Sequence, residues 1–261
     1  MISALYVSKT GLGAQDKQLS TISNNLANTS TVGFKRDRAV FEDLIYQIQR
    51  QPGAKETQDS QLPSGLQLGT GVRVVATQKQ FTQGNLQVTE QPLDVAVNGR
   101  GFLQILQPDG TIAYTRNGQL QLNSEGQVVN SDGLVLEPAI TVPTGTNKIT
   151  IGKDGTVNAF SENVAAPQQI GNITLTDFVN PSGLQAIGGN LFVETAASGN
   201  PVQGTPGENG MGSLLQGELE SSNVDIVEEM VNMITTQRAY EMNSKVVSTA
   251  DQMLQYISQN L

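Results

Sequence analysis

Leu219, Ile226, Met233, Tyr240, Val247, Leu254 and Leu261 stand seven residues apart at one end of the chain, and Leu5, Leu12, Leu19 and Leu26 repeat that spacing at the other. A seven-residue recurrence puts one apolar row along a helix and demands a second surface to cover it. The C-terminal helix predicted by this row spans 224–258, about 50 Å at 1.5 Å per residue. Asn223 is its cap candidate, with Asp225, Glu228 and Glu229 at its start. Val227, Met230 and Ile234 widen the apolar face early, whereas Gln237, Ser244 and Asp251 interrupt it later and Val246 and Met253 extend the other flank. A face that rotates in this way suits several neighbours better than a two-stranded zipper. In the N-terminal helix Gly11 and Gly13 each cost about 1 kcal/mol relative to alanine, so that helix also needs a partner. The run Asn28, Thr29, Ser30, Thr31, Gly33 ends its period in a turn. A second short amphipathic helix is expected over Ala39–Ile48, where Val40, Phe41, Leu44, Ile45 and Ile48 group on one side.

Between these ends the pattern changes. Gln51 to Gly71 is rich in Gln, Pro, Gly and Ser and reads as an extended connector. From about Val72 to Gly199, alternating stretches such as VRVVA, LDVAV, FLQIL and NITLTDF are bounded by turn dipeptides: Asp109-Gly110, Asn117-Gly118, Glu125-Gly126, Asp132-Gly133 and Asp154-Gly155. The expected fold is α+β: paired, coiled-coil-like N- and C-terminal α-helices flanking a central, mostly antiparallel β domain. Residues 1–34 and 223–261 form the helical assembly domain, 35–71 and 200–222 the connectors, and 72–199 the β domain. The ends also carry complementary charge, with Lys9, Lys17, Lys35, Arg36 and Arg38 dominating residues 1–40 and seven acidic residues outnumbering Arg238 and Lys245 in 218–261.

Composition narrows the chemistry. Among 261 residues there is no Cys, His or Trp, which removes disulfides, Cys or His zinc sites and every Ser-His or Cys-His nucleophile. No cofactor and no metal is expected. A net charge of −9 disfavours phosphate backbones, so nucleic acid is not expected as a partner. The start MISALYVSKTGLGAQ lacks the layout of a cleaved signal peptide, and no stretch approaches the length of a membrane span. A glycoside hydrolase needs only two carboxylates, and Asp94, Glu125, Asp132, Asp154 and Asp177 are available. Four of these lie at turns or strand ends, where short acids bond the local backbone. Asp94, inside LDVAV, is the exception, an acid that an alternating strand would bury and pair. Asn98–Phe102, NGRGF, lacks the third glycine and the helix of a phosphate loop and reads as a tight turn between strands. The terminal rows, incomplete and placed where helices normally fray, point to self-association.

The segment Thr21–Leu44, TISNNLANTSTVGFKRDRAVFEDL, resembles the N-terminal motif of bacterial flagellar rod and hook proteins, and Glu220–Leu254 is similar to their C-terminal motif. LDVAVNGRGFLQI, YTRNGQL and LVLEPAITVP resemble their central segments, and the chain's length and connector match the rod members, hook proteins being longer through inserted sheet domains. The motif positions carried here are Asn24, Asn25, Leu26, Asn28, Gly33, Phe34, Lys35, Gln237, Arg238 and Tyr240. The resemblance implies a non-enzymatic subunit of a tubular drive shaft in the basal body, crossing the periplasm. Its implied partners are copies of itself, neighbouring proximal rod and hook proteins, the surrounding rings and the type III export apparatus, with the N-terminal segment as an uncleaved export signal. It associates Gln51–Gly71 with stiffness of the rod. The alternatives are another axial protein of the same kind and, from a different class, a hydrolase of cell-wall glycans.

Overall fold

The computed structural model describes residues 2–53, 63–161 and 166–259, so Leu261 and residues 54–62 of the expected connector lie outside the described residues. The chain divides into two compact units. A helical unit takes residues 2–27, 37–78 and 225–259 as far as they are described, and a β unit takes 28–36 and 79–224. The class is α+β, with terminal helices flanking a central antiparallel β region.

In the helical unit, α1 (Ile2–Ala27) and α2 (Ile226–Gln259) are the paired termini. Helix α2 has 34 residues, about 51 Å. Its cap is Asp225, two residues later than the expected Asn223: the Val227 and Glu228 amides donate to Asp225 Oδ1 at 2.8 and 3.1 Å. The two helices run antiparallel. Asn25 Nδ2 donates to Glu229 Oε1 at 3.3 Å, and fourteen residues back along α1 Gly11 lies against Asn243, fourteen residues forward along α2.

Residues 39–48 do not form the expected short helix. Apart from Leu44 and Ile45, which link them, they lie in strands Asp37–Asp43 and Tyr46–Arg50, the first paired with Val72–Lys79 and the second antiparallel to Leu66–Gly69. Partners some twenty or more residues away in sequence override the local helical spacing. The apolar residues grouped there do not cover a core, and Ile45 is 84% exposed.

The β unit holds, among the described residues, a seven-stranded antiparallel sheet in the order Gln185–Gly188, Leu191–Val193, Ile112–Thr115, Leu103–Leu106, Val135–Glu137, Val128–Val129, Gln121–Leu122. A three-stranded sheet (Thr146–Ile151, Thr156–Ser161, Gln168–Asn172) and several strand pairs complete it. Leu103, Ile105, Leu136, Ile140, Ile173 and Leu175 form a dry core with no more than 1% exposure. Beside it Phe102, Tyr114, Phe178 and Phe192 pack edge to face, with the Tyr114 and Phe178 rings 4.8 Å apart.

Strand Val95–Asn98 is buried at Val95, Ala96 and Val97 alike, because both of its faces are covered. NGRGF leads from this strand to Leu103–Leu106, which belongs to a different sheet, so it joins two sheets and does not close a hairpin. Four of the five turn glycines adopt positive φ. The fifth, Gly118, is required for closeness: a Cβ there would lie 1.6 Å from the Val95 carbonyl oxygen. Residues 200–222, expected as connector, carry strands Val202–Gly204, Ser213–Gln216 and Glu218–Glu220, because Leu214 and Leu219 find buried places in the β unit.

Candidate assembly surfaces

The expected assembly residues are only partly used within the chain. Leu5, Leu12, Leu19 and Leu26 are half-buried on α1, as are Met233 and Val247 on α2, while Ile226, Tyr240 and Leu254 are exposed. Further apolar side chains on α2 face outward, among them Val227 at 72%, Met242 at 71% and Tyr256 at 70% exposure. An apolar groove of about 410 Å³ runs along the Met242, Val246, Thr249 and Met253 face of α2 beside Ala4. Water-exposed apolar rows of this extent mark an interaction surface.

The motif residues divide by role. Asn25, 1% exposed, is committed inside the helical unit: besides Glu229 its Nδ2 donates to the Asp37 carbonyl at 2.8 Å, and its Oδ1 accepts from the Asp37 amide at 2.8 Å. Asn24, Gln237 and Arg238 are exposed. Asn28 closes the turn after α1, accepting from the Thr31 hydroxyl at 3.1 Å.

Gly33, Phe34 and Lys35 serve the β unit. Gly33 has φ +70°, and a Cβ there would meet the Asn117 nitrogen at 2.7 Å. Phe34 is buried, with Lys79 Nζ 5.2 Å above its ring. Lys35 is fully buried and donates to Glu220 Oε1 at 2.5 Å and to the Thr82 carbonyl at 2.8 Å. Glu220 also accepts from the Gly84 amide at 2.9 Å and faces Arg116 Nη1 at 3.4 Å. Arg116 donates through Nη2 to the Gly99 carbonyl at 2.7 Å and lies over the Phe102 ring. Burial pulls the Lys35 and Arg116 pKa values down, against the opposing pull of Glu220. Asn223, no helix cap, accepts from the Arg36 amide and donates to the Gln80 and Thr82 carbonyls. The sequence reading missed this cluster. The one available signal was a lysine directly after an apolar Phe34, and its acid lies 185 residues away.

Of the carboxylates weighed for hydrolysis, Asp94 and Asp154 accept from nearby threonines and Asp177 pairs with an arginine. Asp94 is half-buried and accepts from the Thr89 hydroxyl at 2.6 Å, while its carbonyl accepts from the Gly217 amide. Asp154 accepts from Thr156, and the turn residue Asp109, not one of the weighed acids, accepts from Thr111; these hydroxyls hold both carboxyls below the usual range. Asp177 pairs with Arg100 at 2.9 Å. Among the described residues no group of three or more Asp or Glu gathers as a metal site would require, and no helix is long and apolar enough to cross a membrane.

Paired terminal helices with outward apolar rows, joined through a turn-rich β region, are the layout of a structural subunit. Residues 5–35 match the model described as flagella basal body rod protein, 96–159 the flagellar hook protein FlgE/F/G D1 domain, and 215–260 the flagellar basal body rod FlgEFG protein C-terminal region. The chain is 55% identical over 259 residues to the flagellar basal-body rod protein FlgG of Buchnera aphidicola subsp. Schizaphis graminum, covering 99% of this chain and all of that one. It is 48% identical to FlgG of Caulobacter vibrioides, with 99% of both chains covered, and 36% identical to FlgG of Bacillus subtilis, with 98% and 97% covered. The chain therefore belongs to the FlgG family of flagellar basal-body rod proteins.

Proposed function

We propose that the chain is a structural subunit of the distal rod, polymerising head to tail into a helical tube that carries torque to the hook. The observation that carries this reading is the outward apolar row of α2 together with the half-buried leucines of α1, surfaces that further copies would cover. A heterologous contact that fails to close into a ring builds an open helix, which is how one subunit makes a tube. Export as a chain with unfolded ends, followed by folding on the growing tip, couples the ordering of the helices to burial. The partners on this reading are other copies, proximal rod and hook subunits, the enclosing rings and the export apparatus, and the role is non-catalytic.

The test is Leu19→Asp or Val247→Asp in the full chain. The expected result is loss of polymer by electron microscopy with the β unit still folded; normal rods would remove these rows from the explanation. Residues 51–71 are proposed to stiffen the polymer, so their deletion should shorten its persistence length. The glycan hydrolase reading predicts cleavage of purified peptidoglycan that disappears in Asp94→Asn, and turnover by the natural chain would favour it.

A further inference from the structure

The chain passes between its two units at four points: 27/28, 36/37, 78/79 and 224/225. Within the β unit, three of these passages are gathered close to their ends by one side chain. Asn223 Oδ1 accepts from the Arg36 amide at 2.8 Å, and Asn223 Nδ2 donates to the Gln80 carbonyl at 2.8 Å, the Thr82 carbonyl at 3.1 Å and the Thr82 hydroxyl at 2.9 Å. The Gln80 amide donates to the Arg36 carbonyl at 2.9 Å and closes the triangle. A side-chain amide suits this place because it accepts and donates at once, which a carboxylate does not.

A second layer lies three residues further back, at Glu220. The buried Lys35 ammonium donates to Glu220 Oε1 at 2.5 Å and to the Thr82 carbonyl at 2.8 Å, so Thr82 receives Lys35 and Asn223 together. The Gly84 amide donates to the same Glu220 oxygen at 2.9 Å, and the Gly33 amide to the Glu220 carbonyl at 2.7 Å. Gly84 lets two backbones touch, since a Cβ there would overlap the Ser221 carbonyl oxygen. Segments 33–36, 80–84 and 220–223 are thereby stitched into one knot, although Arg36 and Asn223 stand 187 residues apart in sequence.

We infer that Asn223 and the Lys35–Glu220 pair form a clasp that makes these three passages hold and open as one, so that load carried along any of them is shared by the others. Units joined by separate strands move at those strands, each absorbing rotation in a few backbone dihedrals. Bonds from shared side chains to all three segments remove that freedom, and charge-assisted bonds in a buried place are the strong ones. Every member of the clasp belongs to the β unit, so it is complete in a single copy. The coupling stands on this geometry alone; its mechanical use rests on the proposed function, in which each subunit of a shaft bears torque.

Amide hydrogen exchange on the full-length chain compares the natural protein with Asn223→Ala. The Arg36 amide loses its acceptor and exchanges faster whether or not the passages are coupled. The Gln80 and Gly84 amides keep theirs, on Arg36 and Glu220, and coupling predicts that they too accelerate by about tenfold, while Ile105 and Leu136 in the core stay unchanged. Acceleration at Arg36 alone would overturn the clasp. Equal acceleration throughout the β unit would make Asn223 a general stabiliser and overturn it as well. In assembled rods the same variant should shorten the persistence length seen by electron microscopy, and unaltered stiffness would overturn the sharing of load. A natural chain that forms no rods would count against the proposed function, and hydrogen exchange would still decide the clasp.

Discussion

The helical unit and the β unit solve burial in opposite ways. In the β unit large side chains face inward and close on one another: Leu103, Ile105 and Leu175 have no exposed surface, and the charges of Lys35, Glu220 and Arg116 are paired inside. In the helical unit Ile22 is the one large hydrophobe fully buried among the described residues, the leucines of α1 are half-buried, and Val227, Met242 and Tyr256 face out. One region is finished within a single copy. The other presents the surface that a domain core would hide, which is what a polymer interface resembles before it is covered.

The contrast can be tested from its strongest term downward. Lys35→Met leaves Glu220 buried beside Arg116 with one cation fewer, and should cost the β unit about 3–5 kcal/mol in a urea unfolding curve followed by tyrosine emission. Adding Glu220→Gln should recover part of that loss. Ile105→Ala, in the dry core, should cost about 2–5 kcal/mol, whereas Leu12→Ala, half-buried on α1, should cost the monomer under about 1 kcal/mol yet weaken polymerisation. Equal losses in the monomer would erase the distinction between the two regions.

A smaller effect is expected at high pH. Burial, with Glu194 nearby, pushes the Tyr114 phenol up to about 12 from an ordinary value of 10.0. An acid held protonated in the folded state contributes stability that is complete below pH 10 and is lost as pH rises toward 12. Tyr114→Phe should flatten the alkaline limb, and the tyrosinate absorbance of the natural chain should show one late-titrating group. The smallest effect concerns Asp109 and Asp154, whose lowered carboxyl pKa values add stability above about pH 3.8 that fades as pH falls through the folded values. Asp109→Asn/Asp154→Asn should soften the acid limb without moving the neutral plateau.

Much of the architecture is legible in the sequence. The terminal helices, the β centre and four positive-φ turn glycines follow from signals confined to a few neighbouring residues. The misread places are those where a distant partner decides. Val40, Phe41 and Leu44 carry helical spacing, yet strand Asp37–Asp43 pairs with Val72–Lys79. Leu214 lay in the expected connector and Leu219 also opened the seven-residue helical row, yet both sit in strands, paired with Val95–Asn98 and Leu86–Val88. Lys35 was counted among the cations of residues 1–40 and as a motif position, and its burial is made tolerable by Glu220, far away in sequence.

Periodicity along the chain was enough to establish that each end is a helix with an apolar row and that the middle is a turn-rich sheet, because rise, twist and turn chemistry are local properties of the backbone. It could not establish which row each helix turns toward its mate. Gly11 and Leu12, Gln18 and Leu19, Asn25 and Leu26 are neighbours about 100° apart on one cylinder, and both rows repeat every seven residues. That rotation was settled by tertiary packing, where Asn25 meets Glu229 and Gly11 makes room for Asn243, with Leu12, Leu19 and Leu26 half-buried beside them.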